Sequence, residues 1–501
     1  MFRGLKWGTG IVAMALLVMP LGAVQAQDPD LSWPPQGWVP SGPGGGSIGF
    51  IINDKFSLES AISVGTPGEQ PFCTSMSDPA CAVPAEKHGW WILRAAPPCQ
   101  DALRWEECIE GLSLTLPDGS STESSLIGLA PGKQTFPADP DRGLPTGSAM
   151  SLWTDPTSED GSTGYVIDLS GQMGGREGPF SLGTFALQVY RYRVGPADSG
   201  RACLWWSGSE CGYRIGFDDA TRLRVSFLMN DSQSGWLSGR LQDPSVTVEP
   251  ARPGLNRIIV SALPVDLPMV ASSIPRSQAS KEIVDYWRET FTCPGPTPCE
   301  DGVMGVESDG PHSPDFLRLF NDALGDTATL MLPSWSIASY KGMSTGSSCL
   351  TRSDSLIGLV TTNSTVYSSQ PPAFDGKSLR YYVASLHRVP TGEPLSGTYD
   401  LVLRSDVARC LYGFSKAPVK AEIQVISEDG TEQVATTSMS ESGGWLRLSA
   451  YGFRFSEPTI SVKLTSADKR TTIICKKGKQ VKRVTGVKPK CPAGWTRITK
   501  P

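Results

Sequence analysis

RLRVSFLMN, residues 222–230, is the stretch that decides the fold class. Leu223, Val225, Phe227 and Met229 alternate with polar residues over the first half of the stretch. An apolar residue at every second position is typical of a half-buried β-strand, because successive side chains point to opposite faces. The same period recurs at residues 423–425 and 460–464, and aromatic strands are expected at 186–194 and 381–387.

Helices are expected at only a few places. Residues 278–291 put Ile283, Val284, Trp287 and Phe291 on one helical face. A second helix is expected from Ser313-Pro314-Asp315 to Gly325, and a third over residues 100–111.

The composition agrees with a strand-rich globular chain. Of 501 residues, 39% are hydrophobic and 19% charged, and 53 glycines and 41 prolines favour frequent turns. Three histidines leave little material for histidine-based metal sites, and no nucleotide-binding or zinc motif occurs. We therefore expect a mainly β protein with antiparallel sandwich-like units.

Several short motifs occur twice in the same order, which predicts a diverged duplication. The pentapeptide SLIGL stands at 125–129 and again at 355–359. The other paired landmarks are two cysteine pairs (Cys73 and Cys81, Cys293 and Cys299), LTLP 114–117 and LMLP 330–333, RACL 201–204 and ARCL 408–411, GWL 235–237 and 444–446, and DPSV 243–246 and EPTI 457–460. The expected organisation is one β-rich unit at 49–250, a second at 251–467, and a small basic C-terminal β-hairpin module at 468–501.

The N-terminal 26 residues have the layout of a secretory signal peptide. Arg3 and Lys6 precede an apolar run over residues 11–21, and Val24-Gln25-Ala26 offers a small-residue cleavage site. A Pro/Gly-rich linker is expected at 27–48. Since no other apolar run approaches the length of a membrane span, we expect an exported mature chain without a transmembrane segment.

Export makes the cysteines interpretable as disulfides. There are twelve: Cys73, Cys81, Cys99, Cys108, Cys203, Cys211, Cys293, Cys299, Cys349, Cys410, Cys475 and Cys491. The expected pairs are Cys475–Cys491, Cys293–Cys299 and then Cys349–Cys410. A helix beginning at Cys99 would hold Cys99 about 13 Å from Cys108, too far for a disulfide. Either that helix starts later or these two cysteines pair with Cys73 and Cys81.

Charge is segregated along the chain. Residues 469–501 hold eleven Lys or Arg and no acid, whereas residues 27–468 hold 32 Lys or Arg and 50 Asp or Glu, a formal net charge of −18. The candidate polyanion-binding residues are Lys476, Lys477, Lys479, Lys482, Arg483, Lys488 and Lys490.

The same tail carries a family resemblance. The pattern ICKKGK at 474–479, VT at 484–485 and KPKCPAGW at 488–495 resembles a short two-cysteine module at the C-terminus of secreted actinobacterial proteins. The resemblance implies an exported, envelope-associated protein and assigns no catalytic residue.

Three other kinds of site are weaker candidates. GMSTG at 342–346 matches the nucleophile-elbow pattern. The triad would be Ser344 as nucleophile, Asp354 or Asp375 as acid and His387 as base. No helical periodicity follows the GMSTG motif, however, whereas a nucleophile elbow leads into a helix. Calcium could use Asp139, Asp141, Asp155 and Asp160. Trp90-Trp91 and Trp205-Trp206 could stack sugars, although adjacent strand residues face opposite sides; Trp236 and Trp445 are interpreted as core anchors.

We therefore expect a binding or structural protein of the cell envelope, with an anionic envelope polymer or polysaccharide as partner. An extracellular serine hydrolase and a carbohydrate-binding protein are the alternatives. No specific nucleic-acid partner and no required cofactor is expected, and the oligomeric state is left open.

Overall fold

The fold is described from a computed structural model. It describes residues 31, 46–54, 60–64, 72–79, 89–176, 178–197, 202–233, 235–291, 300–310, 312–340, 349–350, 356–368, 370–413, 419–426, 432–433, 436–455, 459–466, 470–478, 480–487 and 489–498. The expected signal peptide lies outside these residues.

Strands dominate the described part of the chain, which confirms the mainly β prediction. The first fifteen are β1 (Ser47–Asn53), β2 (Ala61–Val64), β3 (Trp90–Ala95), β4 (Cys108–Thr115), β5 (Ser121–Glu123), β6 (Leu126–Leu129), β7 (Ser151–Thr154), β8 (Thr163–Gly175), β9 (Ala186–Pro196), β10 (Cys203–Ser207), β11 (Glu210–Ile215), β12 (Arg222–Asn230), β13 (Gly235–Arg240), β14 (Gln242–Arg252) and β15 (Leu255–Leu263).

The remaining seventeen are β16 (Val265–Met269), β17 (Ala271–Pro275), β18 (Gly302–Glu307), β19 (Leu330–Tyr340), β20 (Leu356–Thr362), β21 (Val366–Tyr367), β22 (Ala373–Phe374), β23 (Leu379–Ala384), β24 (Gly397–Arg404), β25 (Val419–Ile426), β26 (Glu432–Gln433), β27 (Thr436–Ser442), β28 (Trp445–Phe453), β29 (Thr459–Ser466), β30 (Arg470–Lys477), β31 (Gln480–Val487) and β32 (Thr496–Ile498). The described helices are α1 (Lys281–Thr290), α2 (Ser313–Leu319), α3 (Asn321–Leu324) and α4 (Ser405–Tyr412), with 3-10 turns at Pro140–Arg142 and Arg276–Gln278.

One large sheet organises the molecule. Its strand order is β2-β3-β8-β9-β19-β13-β20-β24-β28-β27, with β6, β7, β10, β11 and β16 attached at its sides. A five-stranded sheet, β14-β15-β12-β4-β5, packs against part of it.

The alternation at 222–230 is what joins these two sheets. Leu223, Val225, Phe227 and Met229 are all fully buried, whereas Arg224 is exposed. They share one core with Ile167 and other side chains of the large sheet. Each buried side chain contributes roughly 1.5–3 kcal/mol, so this stretch holds a sandwich interface.

Two smaller cores complete the body. The sheet β21-β23-β29-β25-β26 packs on β20, β24 and β28. The sheet β17-β1-β18 is covered by α1 and α2, where Phe50 lies 5.0 Å from Phe316 and 5.0 Å from Phe320, centroid to centroid. No helix among the described residues is long and apolar enough to cross a membrane.

Two of the three expected helices are confirmed. Ser280 caps α1 by accepting a hydrogen bond from the Ile283 N–H, and Gly325 ends α3 in a left-handed conformation. The helix expected at 100–111 is wrong: residues 99–107 form turns and β4 begins at Cys108. Cys99 and Cys108 are joined there by a disulfide with their Cα atoms 4.8 Å apart. A helix would hold two residues nine positions apart at about 13 Å, too far for that bond.

The described residues form four disulfides, Cys99–Cys108, Cys203–Cys211, Cys349–Cys410 and Cys475–Cys491. Two of the three expected pairs are therefore confirmed, and Cys293–Cys299 lies outside the described residues. Cys73 is also disulfide-bonded, and Cys81 lies outside the described residues.

The expected boundary at 250/251 lies inside a β-hairpin. Strands β14 and β15 pair from Gln242 to Arg252 across it, and β13 pairs with both β19 and β20 of the expected second unit. The two expected units thus share one sheet. In the expected linker, Leu31 is buried beside Val265, and β1 begins at Ser47.

Candidate functional site

The C-terminal segment forms its own three-stranded sheet, in the order β31-β30-β32. Gly478, with φ +59°, lies in the turn between β30 and β31, a conformation that glycine adopts at little cost. Ile473 and Cys475 are buried, and Cys475 is bonded to Cys491 with a Cα–Cα distance of 5.7 Å. A disulfide and two apolar side chains of β30 thus support a segment that is otherwise polar.

The strand register places cations on both faces of this basic sheet. Cys475 lies opposite Lys482 on one side and Arg497 on the other, and side chains directly opposite share a face. Lys476 and Arg483 therefore project from the other face.

The cations of the basic sheet are open to solvent. Lys476, Lys477, Lys482, Arg483, Lys490 and Arg497 are all exposed. None of these six forms an ion pair with a carboxylate among the described residues. Lys479 and Lys488, also expected here, lie outside the described residues. The sheet is therefore a compact cationic surface without internal neutralisation.

The hydrolase candidates are only partly described. Ser344 and Asp354 lie outside the described residues, and His387 lies beyond the end of β23 rather than on a strand. His387 Nδ1 lies 2.7 Å from a carboxylate oxygen of Asp326. Asp375 binds Arg380 instead. Sequence reasoning missed Asp326, because it lies 61 residues from His387 in the chain and in no motif.

The four acidic residues considered for calcium do not converge. Asp139 caps the 3-10 turn at Pro140–Arg142 and pairs with Arg142, while Asp160 accepts hydrogen bonds from the turn that follows it. Asp155 is buried and pairs with Arg191, and the residues described contain no group of three metal-ligating side chains. Asp141 lies in the same 3-10 turn.

The tryptophan doublets differ from each other. Trp205 is buried and Trp206 is 51% exposed, as strand alternation predicts, with Lys133 Nζ 5.2 Å from the Trp206 ring centroid. Trp90 and Trp91 are both partly buried. Trp236 is buried in the second core, as expected of a core anchor.

A cavity of about 790 Å³ lies where β9, β11 and β16 meet. Arg191 on its wall pairs with Asp155 and Asp218 and so fixes the loop that follows β11. Burial and then the charge of Asp219 raise the pKa of Asp266 in the same cavity. The cavity thus combines a neutralised arginine with two carboxylates that repel each other.

A second cavity, of about 470 Å³, has Trp445 in its wall; we call it the Trp445 cleft. Trp445 is only partly buried. It packs against the main core, as expected of a core anchor, and it also lines this cleft. The remaining lining residues are Val248, Leu356, Arg404, Ser405, Asp406, Arg409, Gly443 and Gly444.

Comparison of the chain with known protein families and with curated proteins finds no match.

Proposed function

We propose that the chain is an exported protein of the cell envelope that serves in binding or surface structure and is retained on an anionic polymer by its basic sheet. The observation that carries this proposal is the set of six exposed cations on a disulfide-closed sheet, in a segment of 33 residues that contains no acid.

The physics favours a polymer over a small anion. Cations on two faces of one small sheet can contact several phosphates or carboxylates of one chain at once, and such contacts release bound counterions. The attraction between exposed charges is screened beyond about 8–10 Å at physiological salt. Retention is therefore expected to depend steeply on salt.

The disulfides support the exported location. Bonds such as Cys99–Cys108 and Cys475–Cys491 persist in oxidising compartments and are rare in reducing ones. The signal-peptide pattern and the resemblance of the tail to secreted actinobacterial proteins point in the same direction.

The competing explanation is that the basic sheet neutralises the acidic body of its own molecule. To separate the two, Lys482, Arg483 and Arg497 are changed together to Gln, and sedimentation with isolated Gram-positive cell walls is measured at low salt. We expect a large loss of co-sedimentation, and moderate salt should imitate it for the unchanged protein.

The matched control removes the same charge from the body by changing the exposed Arg104, Arg224 and Lys377 to Gln. This control should bind the walls as well as the unchanged protein does. Equal sedimentation of the tail variant and the control would refute attachment through the basic sheet, whereas a change only in stability or self-association would support neutralisation of the body.

A serine hydrolase is the second candidate, and the pairing of His387 with Asp326 favours it. A carboxylate on Nδ1 is how a catalytic base is oriented toward a serine. Labelling by a fluorophosphonate that is lost in Ser344→Ala and His387→Ala, and retained in Asp375→Asn, would support it; an unlabelled unchanged protein would exclude it.

A further inference from the structure

We propose that the Trp445 cleft binds a neutral saccharide. It is a separate site from the basic sheet, and the inference does not rest on attachment to the envelope. The cleft volume of about 470 Å³ lies within the roughly 300–1,000 Å³ of small-molecule sites. It forms where β14 and β20 meet the start of α4 and the β27–β28 turn, a junction of elements of the kind that ligands commonly occupy.

The aromatic wall of the cleft suits the apolar face of a sugar ring. Trp445 packs against the main core, which holds the indole in place, and also lines the cleft. Gly443 and Gly444 in the adjoining turn have φ of +58° and +80°, and no atom lies within 4 Å of where a Cβ would stand at either residue. The approach along this turn is therefore free of side chains.

The polar wall of the cleft offers paired donors and acceptors. Arg404 Nε and Nη2 donate to the two carboxylate oxygens of Asp406 at 3.0 and 2.8 Å. Arg409 Nη2 donates to Glu441 at 2.6 Å. Each pair is formally neutral, so the wall presents N–H donors and carboxylate acceptors without a net charge. Vicinal hydroxyls, which both donate and accept, match that surface better than a carboxylate or phosphate does.

The cleft is held in shape before any ligand arrives. The Ser405 N–H donates to the Gly444 carbonyl at 2.8 Å, which ties the start of α4 to the β27–β28 turn. Cys410 near the end of α4 is bonded to Cys349. Binding then orders few additional groups, which favours affinity from a small contact area.

The test uses the full-length oxidised protein on an array of neutral and acidic glycans, followed by calorimetry on the neutral glycan with the strongest signal. Trp445→Ala and Asp406→Asn should each weaken binding at least tenfold. Asp406 is partly exposed, so its variant reports on binding even where loss of Trp445 disturbs the core.

Trp206→Ala, at an exposed tryptophan elsewhere, and deletion of residues 469–501 are the controls and should leave the affinity unchanged. The proposal is overturned if no neutral glycan binds more tightly than about 10 mM, or if binding survives both cleft variants. It is also overturned if only acidic glycans bind and the deletion abolishes that binding, because the ligand then belongs to the basic sheet.

Discussion

The pentapeptide Ser-Leu-Ile-Gly-Leu occurs at residues 125–129 and 355–359, and its Leu-Ile-Gly-Leu part forms a bulged strand at both places but in different surroundings. In β6, Leu126 lies opposite Trp153 and Gly128 opposite Leu152, so Ile127 is the extra residue of a bulge. In β20, Leu356 lies opposite Gly235 and Gly358 opposite Trp236, which makes Ile357 the extra residue.

The surroundings decide what the bulge does. Strand β6 pairs only with β7 among the described strands, and Ile127 is 57% exposed. Strand β20 lies between β13 and β24, and Ile357 is 1% exposed. Bulges are frequent at sheet edges, where they bend a strand away from further pairing. The same Leu-Ile-Gly-Leu segment thus lies at a sheet edge in one place and in a core in the other.

The largest expected difference between the two copies is at their glycines. An alanine Cβ at Gly358 would stand 2.5 Å from the Trp236 ring and 2.8 Å from the Val402 carbonyl oxygen, and neither can move within a buried sheet. We expect Gly358→Ala to lower the free energy of unfolding by about 4 kcal/mol or to prevent folding. Urea unfolding of the oxidised protein measures this loss.

The matched variant is Gly128→Ala, where nothing lies within 4 Å of the added carbon. It should cost about 1 kcal/mol, from the backbone conformation alone. Similar losses for the two variants would mean that the two bulges are equally packed and that the comparison is wrong.

The isoleucines give the next largest difference. Ile357→Ala leaves a cavity beside Tyr399 and the other side chains of the second core and should cost about 3 kcal/mol. Ile127→Ala removes an exposed side chain and should change the free energy of unfolding by about 0.5 kcal/mol or less. Thermal unfolding of both variants tests the contrast, and a loss above about 2 kcal/mol at position 127 would show that the edge is covered.

The sequence predicts the strands well because their signal is local. Alternation at 222–230 and the apolar helical face at 278–291 depend on neighbouring residues, and both are confirmed. Sheet order is not local: β13 pairs with β19 and β20, nearly 100 residues or more away, and no pattern in β13 specifies those partners. The duplication stays a prediction. At one pair of landmarks the two segments differ, because Pro117 lies in a turn and Pro333 lies within β19.

The two candidate sites differ in how far the sequence predicts them. A candidate site whose residues are close together in the chain can be recognised from the sequence, whereas one that the fold assembles from distant residues cannot. The basic sheet is visible in the sequence as a run of cations without acids. The Trp445 cleft brings together Val248, Leu356 and Arg404, which are distant in the chain. The failed helix at 100–111 shows a local pattern overruled by the Cys99–Cys108 bond and by the buried ion pair of Glu107 with Arg94.

Two buried carboxylates of the large sheet, Asp168 in β8 and Asp400 in β24, allow a second comparison between regions on either side of β13. Burial raises the pKa of Asp168 in β8 to about 7, although it accepts a hydrogen bond from Ser170. Because the unfolded chain releases this proton near pH 4, the folded state binds the extra proton between pH 4 and 7. Its contribution to stability is therefore fully present below pH 4 and is lost as the pH rises through 7.

Asp168→Asn should remove this loss. At pH 8 we expect the variant to be more stable than the unchanged protein by on the order of 2 kcal/mol, after the burial of an amide is offset. At pH 4 the two should differ little. Urea midpoints measured across pH 4–8 check both statements, and a variant that keeps the slope of the unchanged protein would show that Asp168 is not its source.

Asp400 in β24 should respond less, because its carboxylate is better provided with donors. Ser449 and Tyr451 donate to Oδ1, and the Asp243 N–H donates to Oδ2 at 3.1 Å. Burial still raises the pKa of Asp400 to about 6, so its contribution to stability is also fully present below about pH 4 and is lost as the pH rises through 6.

In Asp400→Asn an amide NH2 takes the place of one oxygen. With the carbonyl kept toward Ser449 and Tyr451, that NH2 faces the Asp243 N–H, so removal of the charge is opposed by two donors meeting. We expect the free energy of unfolding at pH 8 to change by less than about 1 kcal/mol, in contrast to Asp168→Asn. Equal stabilisation by the two substitutions would mean that burial alone, and not the number of donors on each carboxylate, separates the two sites.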